Sequence, residues 1–207
     1  MVLSIYLFIR KISPTIKGFL FKLLFNGRRI KVGRNFQCEK FPSLQIDNNC
    51  FLKIGNDVLF RKDIEIRSHG KSKIDIGNNV RIDRGVRILA ANQSEIVLKD
   101  GARIGLYTVF NGGDSIYIGE KVLVSGFVYL QTSMHNHKKN KDVQSQGYSH
   151  KPVTLKEDSW LGTHVVVLPG CVIGKGAVVG SNAVVTKSIE DYTISAGVPA
   201  KSIKERE

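Results

Sequence analysis

Aliphatic side chains recur at every sixth position through most of this 207-residue chain, and that interval excludes most folds. In the C-terminal third the series is Leu161, Val167, Ile173, Val179 and Val185. Small or β-branched residues stand two positions before the last four: Val165, Cys171, Ala177 and Ala183. Upstream the frame runs through Ile54, Phe60 and Ile66, then Ile76, Ile82 and Ile88, then Ile118, Val124 and Leu130. Ile104 and Phe110 lie between these runs, in frame with each other. The register slips at 68–73, 90–99 and 111–115, and again across 134–156.

An amphipathic helix places its apolar residues three and four apart, never at a strict six. Residues two apart on a strand share a face, so Val80 and Ile82 point the same way. The other four residues of each six must turn the chain. Short strands joined by regular corners and stacked on their neighbours make a parallel β-solenoid, three six-residue faces to a coil. The slips are then loops ejected from corners. Frequent Gly (20) and scarce Pro (5) suit a fold with many tight turns.

Residues 1–30 do not share the frame and form a separate basic segment. Its apolar run before Arg10 is too short to span a bilayer, and it lacks the order of a secretory signal. From Ile12 to Leu24, Ile12, Ile16, Phe19, Leu20, Leu23 and Leu24 recur at helical spacing with Lys11, Lys17 and Lys22 between them. That pattern suits a helix on an anionic membrane surface, or one packed on the body of the protein. Pro14 is expected to mark a helix start. The net charge of +13 favours anionic partners. The cations are scattered and no nucleic-acid motif is present, so nucleic acid is not an expected partner. Cys38, Cys50 and Cys171 are unevenly spaced and odd in number, which points to free thiols in a reducing compartment.

The stretch 159–201 is more specific than the repeat. It holds Trp160-Leu161-Gly162, Leu168-Pro169-Gly170, Val184-Val185-Thr186-Lys187 and Ala196-Gly197-Val198-Pro199-Ala200-Lys201, in that order. These blocks resemble the C-terminal half of the hexapeptide-repeat acyltransferases, above all the galactoside, maltose and polysaccharide O-acetyltransferases. The resemblance covers about 31–203. It implies a left-handed parallel β-helix over 31–203 with an ejected loop at about 134–156, assembled as a homotrimer with active sites between subunits. It also implies acetyl-CoA as co-substrate, a carbohydrate acceptor and no metal.

Carried over position by position, the resemblance assigns the donor path to Trp160, Thr163, Ser181, Thr186, Lys187, Gly197 and Lys201. Lysines and open backbone N–H groups suit the phosphates of coenzyme A. Gly162, Gly174 and Gly180 are as well explained as corner residues. The base falls in Ser133-Met134-His135-Asn136-His137, at His135, with His137 as the alternative. Acyl transfer to a hydroxyl needs a group that removes its proton, and imidazole titrates near neutral pH. Asn111 and Asp114 are the acceptor candidates, although Asn111-Gly112-Gly113-Asp114 also reads as a plain turn.

Two other activities remain open: an N-acetyltransferase acting on an amino sugar, and a zinc enzyme resembling the γ-class carbonic anhydrases. The zinc reading has a His135-x-His137 pair and lacks a convincing third histidine upstream. The basic N-terminal segment suits an enzyme at the cytoplasmic membrane face, where capsule, O-antigen or exopolysaccharide precursors are built.

Overall fold

The computed structural model describes the backbone from Val2 to Glu207 and the side chains from Ile12 onward. An α-helix, Val2–Phe25, opens the chain. Short parallel strands follow and stack into three sheets, the faces of a triangular prism. The first face runs from Ile30–Val32 to Val172–Ile173. The second runs from Gln37–Cys38 to Val178–Val179 and is extended by Thr193–Ala196 and Lys201–Glu205. The third runs from Ser43–Ile46 to Val184–Val185. The fold is the parallel β-helix expected from the repeat, and the in-frame residues fill its interior. Ile54, Phe60, Ile66, Ile76, Ile82, Ile88, Leu130, Val167 and Val185 are all buried.

The corners explain the frame. Residues with positive φ stack at the first-to-second corner, among them Asn35, Asp57, Asn79 and Lys121. Asn and Asp occupy this region more readily than most side chains, which accounts for their use here. At the same corner a Cβ on Gly55 would stand 2.5 Å from the Gly77 carbonyl oxygen of the next coil. Main-chain hydrogen bonds such as Gly55 N–H to Ile76 O (2.7 Å) close each corner onto its neighbour.

The coils are not all alike. Paired residues in adjacent coils are 22 positions apart where Leu52 meets Ile74 and Ile74 meets Ile96. The interval is 20 where Ile96 meets Ile116, 37 where Ile116 meets Val153, and 18 where Leu155 meets Ile173. Three six-residue faces therefore describe only the C-terminal coils. All the extra length enters between the third and first faces, because the other two corners keep the six-residue step throughout. In the large coils this corner buries Ser68, Ser72 and Ser94, which the hydrophobic frame does not register.

The helix closes the N-terminal end. Phe21 packs on Phe36 and Phe41, with ring centroids 5.3 and 5.6 Å away. Gly18 lies so close that a Cβ would meet the Phe36 carbonyl oxygen at 1.8 Å. Lys17 Nζ donates to Glu39 O (2.8 Å) and Lys22 Nζ to Gly33 O (3.0 Å). Carbonyls of the first coil have no preceding coil to bond, and the two ammonium groups satisfy two of them. One expectation is corrected here. Pro14 lies inside the helix, not at its start. Lys17 and Lys22 turn inward; the Lys11 side chain lies outside the described residues. A proline removes one hydrogen bond from a helix, and a 24-residue helix held by end-on packing continues through that loss. Among the described residues no helix is long and apolar enough to cross a membrane.

Candidate active site

Where the wide coils give way to narrow ones, the surplus chain leaves the third-to-first corner as a hairpin. Strand Ser133–His135 pairs antiparallel with Tyr148–His150, and a 3₁₀ turn, Val143–Gln146, lies near the tip. Gln146 fastens that tip. Its Oε1 accepts from Lys138 N–H (2.7 Å), and its Nε2 donates to Lys138 O (3.1 Å) and Lys141 O (3.0 Å). Asn136 Nδ2 donates to Gln146 O (3.0 Å). The hairpin therefore has its own hydrogen-bond framework.

His135 is exposed on this hairpin with its ring against Tyr148, 4.2 Å between centroids. His137 Nδ1–H donates to His135 O (3.0 Å). A carbonyl can only accept, so the bond fixes the neutral His137 tautomer with Nε2 open to solvent. His150 Nδ1 lies 2.9 Å from Ser133 Oγ across the hairpin root. It ends strand Tyr148–His150.

The root is tied to the end of strand Val109–Gly112, which carries Asn111, and to the bend after it, which carries Asp114; the plain-turn reading fails for Asn111. Buried Thr132 donates its hydroxyl to Asn111 O (2.7 Å) and accepts from Asp114 N–H (3.0 Å). Asn111 Nδ2 donates to Tyr129 Oη (3.1 Å), and its Oδ1 has no protein partner among the described residues. An amide oxygen left free beside a partly exposed phenol can receive a hydroxyl from a polar ligand. Asp114 Oδ1 instead accepts from Ser115 N–H (2.7 Å), closing its own turn. Asn111, Asp114 and the histidine hairpin thus come together. Tyr129 and Tyr148 join them without having been singled out from the sequence. The signal for Tyr129 was its outward place beside in-frame Leu130; Tyr148 carried none.

The donor candidates lie on different edges. Thr163 and Ser181 stack at the second-to-third corner, where Thr163 Oγ1 donates to Gly126 O (2.9 Å). That hydroxyl has one proton, so His164 Nδ1–H, 3.0 Å away, must donate to it. The His164 ring stacks on Phe127 (4.8 Å, 7° between planes) and Phe127 on Tyr107 (5.4 Å). Trp160 is half-exposed on the second face and donates Nε1–H to Ser125 Oγ (3.1 Å). Thr186 and Lys187 are exposed after the last third-face strand, on the hairpin's corner but further along the prism. Gly197 holds φ 99° with no atom near its Cβ position closer than Pro199 O at 3.5 Å. Lys201 is exposed in the closing strand. By contrast, a Cβ on Gly162 would stand 2.6 Å from Ser181 N, and one on Gly174 2.4 Å from Asp191 N. Close packing explains those two glycines.

Within one chain, then, His135 and Thr163 sit at opposite ends of the third face, separated by strand Tyr129–Gln131. Among the described residues no cluster of three or more His, Cys, Asp or Glu is arranged to hold a metal ion. Cys38, Cys50 and Cys171 are free and buried, and burial pushes the Cys38 thiol up to about 11.

The bacterial transferase hexapeptide family (six repeats) matches residues 152–187. The chain is 35% identical over 117 residues to a putative lipopolysaccharide biosynthesis O-acetyl transferase, WbbJ, of Escherichia coli, covering 53% of this chain and 60% of that one. It is 34% identical over 93 residues to the galactoside O-acetyltransferase of the same organism, covering 44% of each. The chain spans between 36% and 60% of the length of the first curated relatives it matches. Among solved structures it resembles AntD, an N-acyltransferase from Bacillus cereus crystallised with dTDP and 3-hydroxybutyryl-CoA. The TM-score is 0.62 at 26% identity, over 76% of this chain and 83% of that one. The match at 152–187 falls on the narrow coils of the solenoid, and over that segment the chain resembles the hexapeptide-repeat transferases.

Proposed function

We propose that the protein moves an acetyl group from acetyl-CoA to a sugar hydroxyl during the building of a surface polysaccharide. The observation that carries this reading is the hairpin with His135, rooted through Thr132 on the strand end that presents Asn111. His135 takes the proton of the acceptor hydroxyl as the oxygen attacks the thioester carbonyl. The carbon–sulfur bond then breaks, and the imidazolium returns its proton to the departing thiolate. Asn111 orients the acceptor through its free amide oxygen, with Tyr129 beside it. His137 and Tyr148 hold the position of His135.

The residues present fit the donor. Lys187 and Lys201 are exposed and carry no ion pair among the described residues. Gly197 leaves backbone open beside them. Such groups bind phosphate, while Thr163, Ser181, Thr186 and Trp160 line the arm between phosphates and thioester. His135 and Thr163 are held apart in one chain, so the site is completed between copies, in a homotrimer. Acetyl-CoA places the work in the cytoplasm, and a lipid-linked glycan acceptor would place it at the inner membrane face.

The likeness to an N-acyltransferase supports a second reading, acetylation of an amino sugar. Isothermal titration should show coenzyme A binding, weakened several-fold by Lys187→Ala. No binding by the assembled protein would end the transferase proposal. Mild hydroxide then separates the readings, because it releases acetate from a sugar ester and leaves an amide intact.

A further inference from the structure

The N-terminal helix presents its sides in an unusual sense. Lys17 and Lys22 turn inward to the carbonyls of the first coil, and Gly18 and Phe21 are buried against it. The outward side is apolar: Ile16 is 54% exposed, Phe19 65%, Leu23 69% and Leu24 67%. Leu20 and Phe25 extend it. A contiguous apolar face of this kind in water is unfavourable and marks a contact surface.

Its surroundings decide what covers it. At the helix end a recess is lined by Leu24, Phe25, Arg28, Phe51 and Lys71. Arg28, Lys31 and Lys71 are exposed and have no ion pair among the described residues. The helix itself contains no Asp or Glu. A second copy docking face to face would set these cations against their own equivalents. A sheet of anionic headgroups over hydrocarbon complements both the charge and the apolar side.

We propose that this helix seats the protein on an anionic phospholipid bilayer, with Phe19, Leu23 and Leu24 in the interface and Arg28, Lys31 and Lys71 on the headgroups. The inference stands on the helix and the cations beside it and is independent of the acyl-transfer reading. The helix lies on the bilayer without crossing it, and the solenoid stands away from the surface on its capped end.

Co-sedimentation of the full chain with vesicles tests this. Vesicles of equal parts phosphatidylglycerol and phosphatidylcholine should pull down the protein, pure phosphatidylcholine much less, and added salt should weaken the anionic case. Phe19→Glu with Leu23→Glu should abolish binding. Arg28→Gln and Lys71→Gln should each lower the partition coefficient about fivefold. Circular dichroism and coenzyme A binding should be unchanged in all four substitutions, since these side chains face solvent. Three outcomes would overturn the proposal. The wild-type chain could ignore anionic vesicles, or the double glutamate variant could bind them equally well. Alternatively, the lipid-free particle could shrink when Phe19 and Leu23 become glutamate, in which case another copy covers the face.

Discussion

The coils before the hairpin are mostly 22 residues long and the first after it 18, and the difference lies in one corner. The interiors follow suit. The two phenylalanines fully buried inside the coils, Phe60 and Phe110, belong to the wide part. The narrow part is filled by Leu155, Leu161, Val165, Val167, Cys171, Ile173, Ala177, Val179, Ala183 and Val185. Strands shorten with the cross-section, from Phe51–Ile54 to Val172–Ile173 on the first face. A solenoid of this kind can change width if two corners stay fixed and the third absorbs the slack. The candidate site lies at the step between the two widths, where the slack is greatest.

Removing the chemistry while leaving both regions intact gives the largest expected effect. His135→Ala should lower turnover by about 10²–10⁴, the range for losing a general base, with assembly and coenzyme A binding retained. His137→Ala should cost less, because that ring bonds a carbonyl and holds its neighbour. Near-normal turnover in His135→Ala together with abolished transfer in His137→Ala would move the base to His137, whose Nε2 is open. Two active variants would remove the hairpin from the mechanism.

The next effect tests whether width and packing are matched. Phe60→Ala in the wide part should cost about 3–5 kcal/mol of unfolding free energy, since both ring burial and a cavity are at stake. Val179→Ala in the narrow part removes less and should cost about 2 kcal/mol. Denaturant unfolding followed by circular dichroism measures both. Equal losses would mean that the wide interior is loosely filled and that its larger side chains are not matched to its section.

The inward frame was legible in the sequence because the in-frame residues are aliphatic or Phe and two of the three corners keep their length. The ejected hairpin was legible as a break in register, and the breaks at 68–73 and 90–99 as loops. Their inner halves were not. Ser68, Ser72 and Ser94 point into the prism, and a scan for apolar residues passes over a hydroxyl that bonds inside. The helix was legible as a helix from Ile12, Ile16, Phe19 and Leu23. Which side faces the solenoid was not, because Lys17 and Lys22 bond carbonyls that only the folded first coil leaves unpaired. The candidate catalytic residues were named from resemblance. Tyr129 and Thr132 needed the strand register, which pairs Val109 with Tyr129 and Asn111 with Gln131.

The smallest effect concerns the corner itself. Ser72 is fully buried; its hydroxyl lies 2.8 Å from Ser68 Oγ, donates to Ala90 O at 3.1 Å, and sits 3.7 Å from Cys50 Sγ. Ser72→Ala deletes that group, yet Ala90 O keeps its bond from His69 N–H (2.9 Å). No carbonyl is orphaned, and the buried Ser68 hydroxyl exchanges the Ser72 hydroxyl at 2.8 Å for Ser72 O at 3.4 Å, so the loss should be one net hydrogen bond and part of a second, about 1–2 kcal/mol. In the narrow part Ala183→Ser, at the second-to-third corner, puts a hydroxyl where a fully buried methyl group stands. With no partner it should cost more, about 1–3 kcal/mol. Denaturant midpoints for the two variants compare the corner that absorbs the slack with one that keeps the six-residue step. If Ser72→Ala costs as much as Ala183→Ser, the serine ladder is not a tolerant spacer and the wide corner is as tightly specified as the other two. If Ala183→Ser is neutral, the narrow coils have room for polar groups, and the width step does not arise from what each interior can hold.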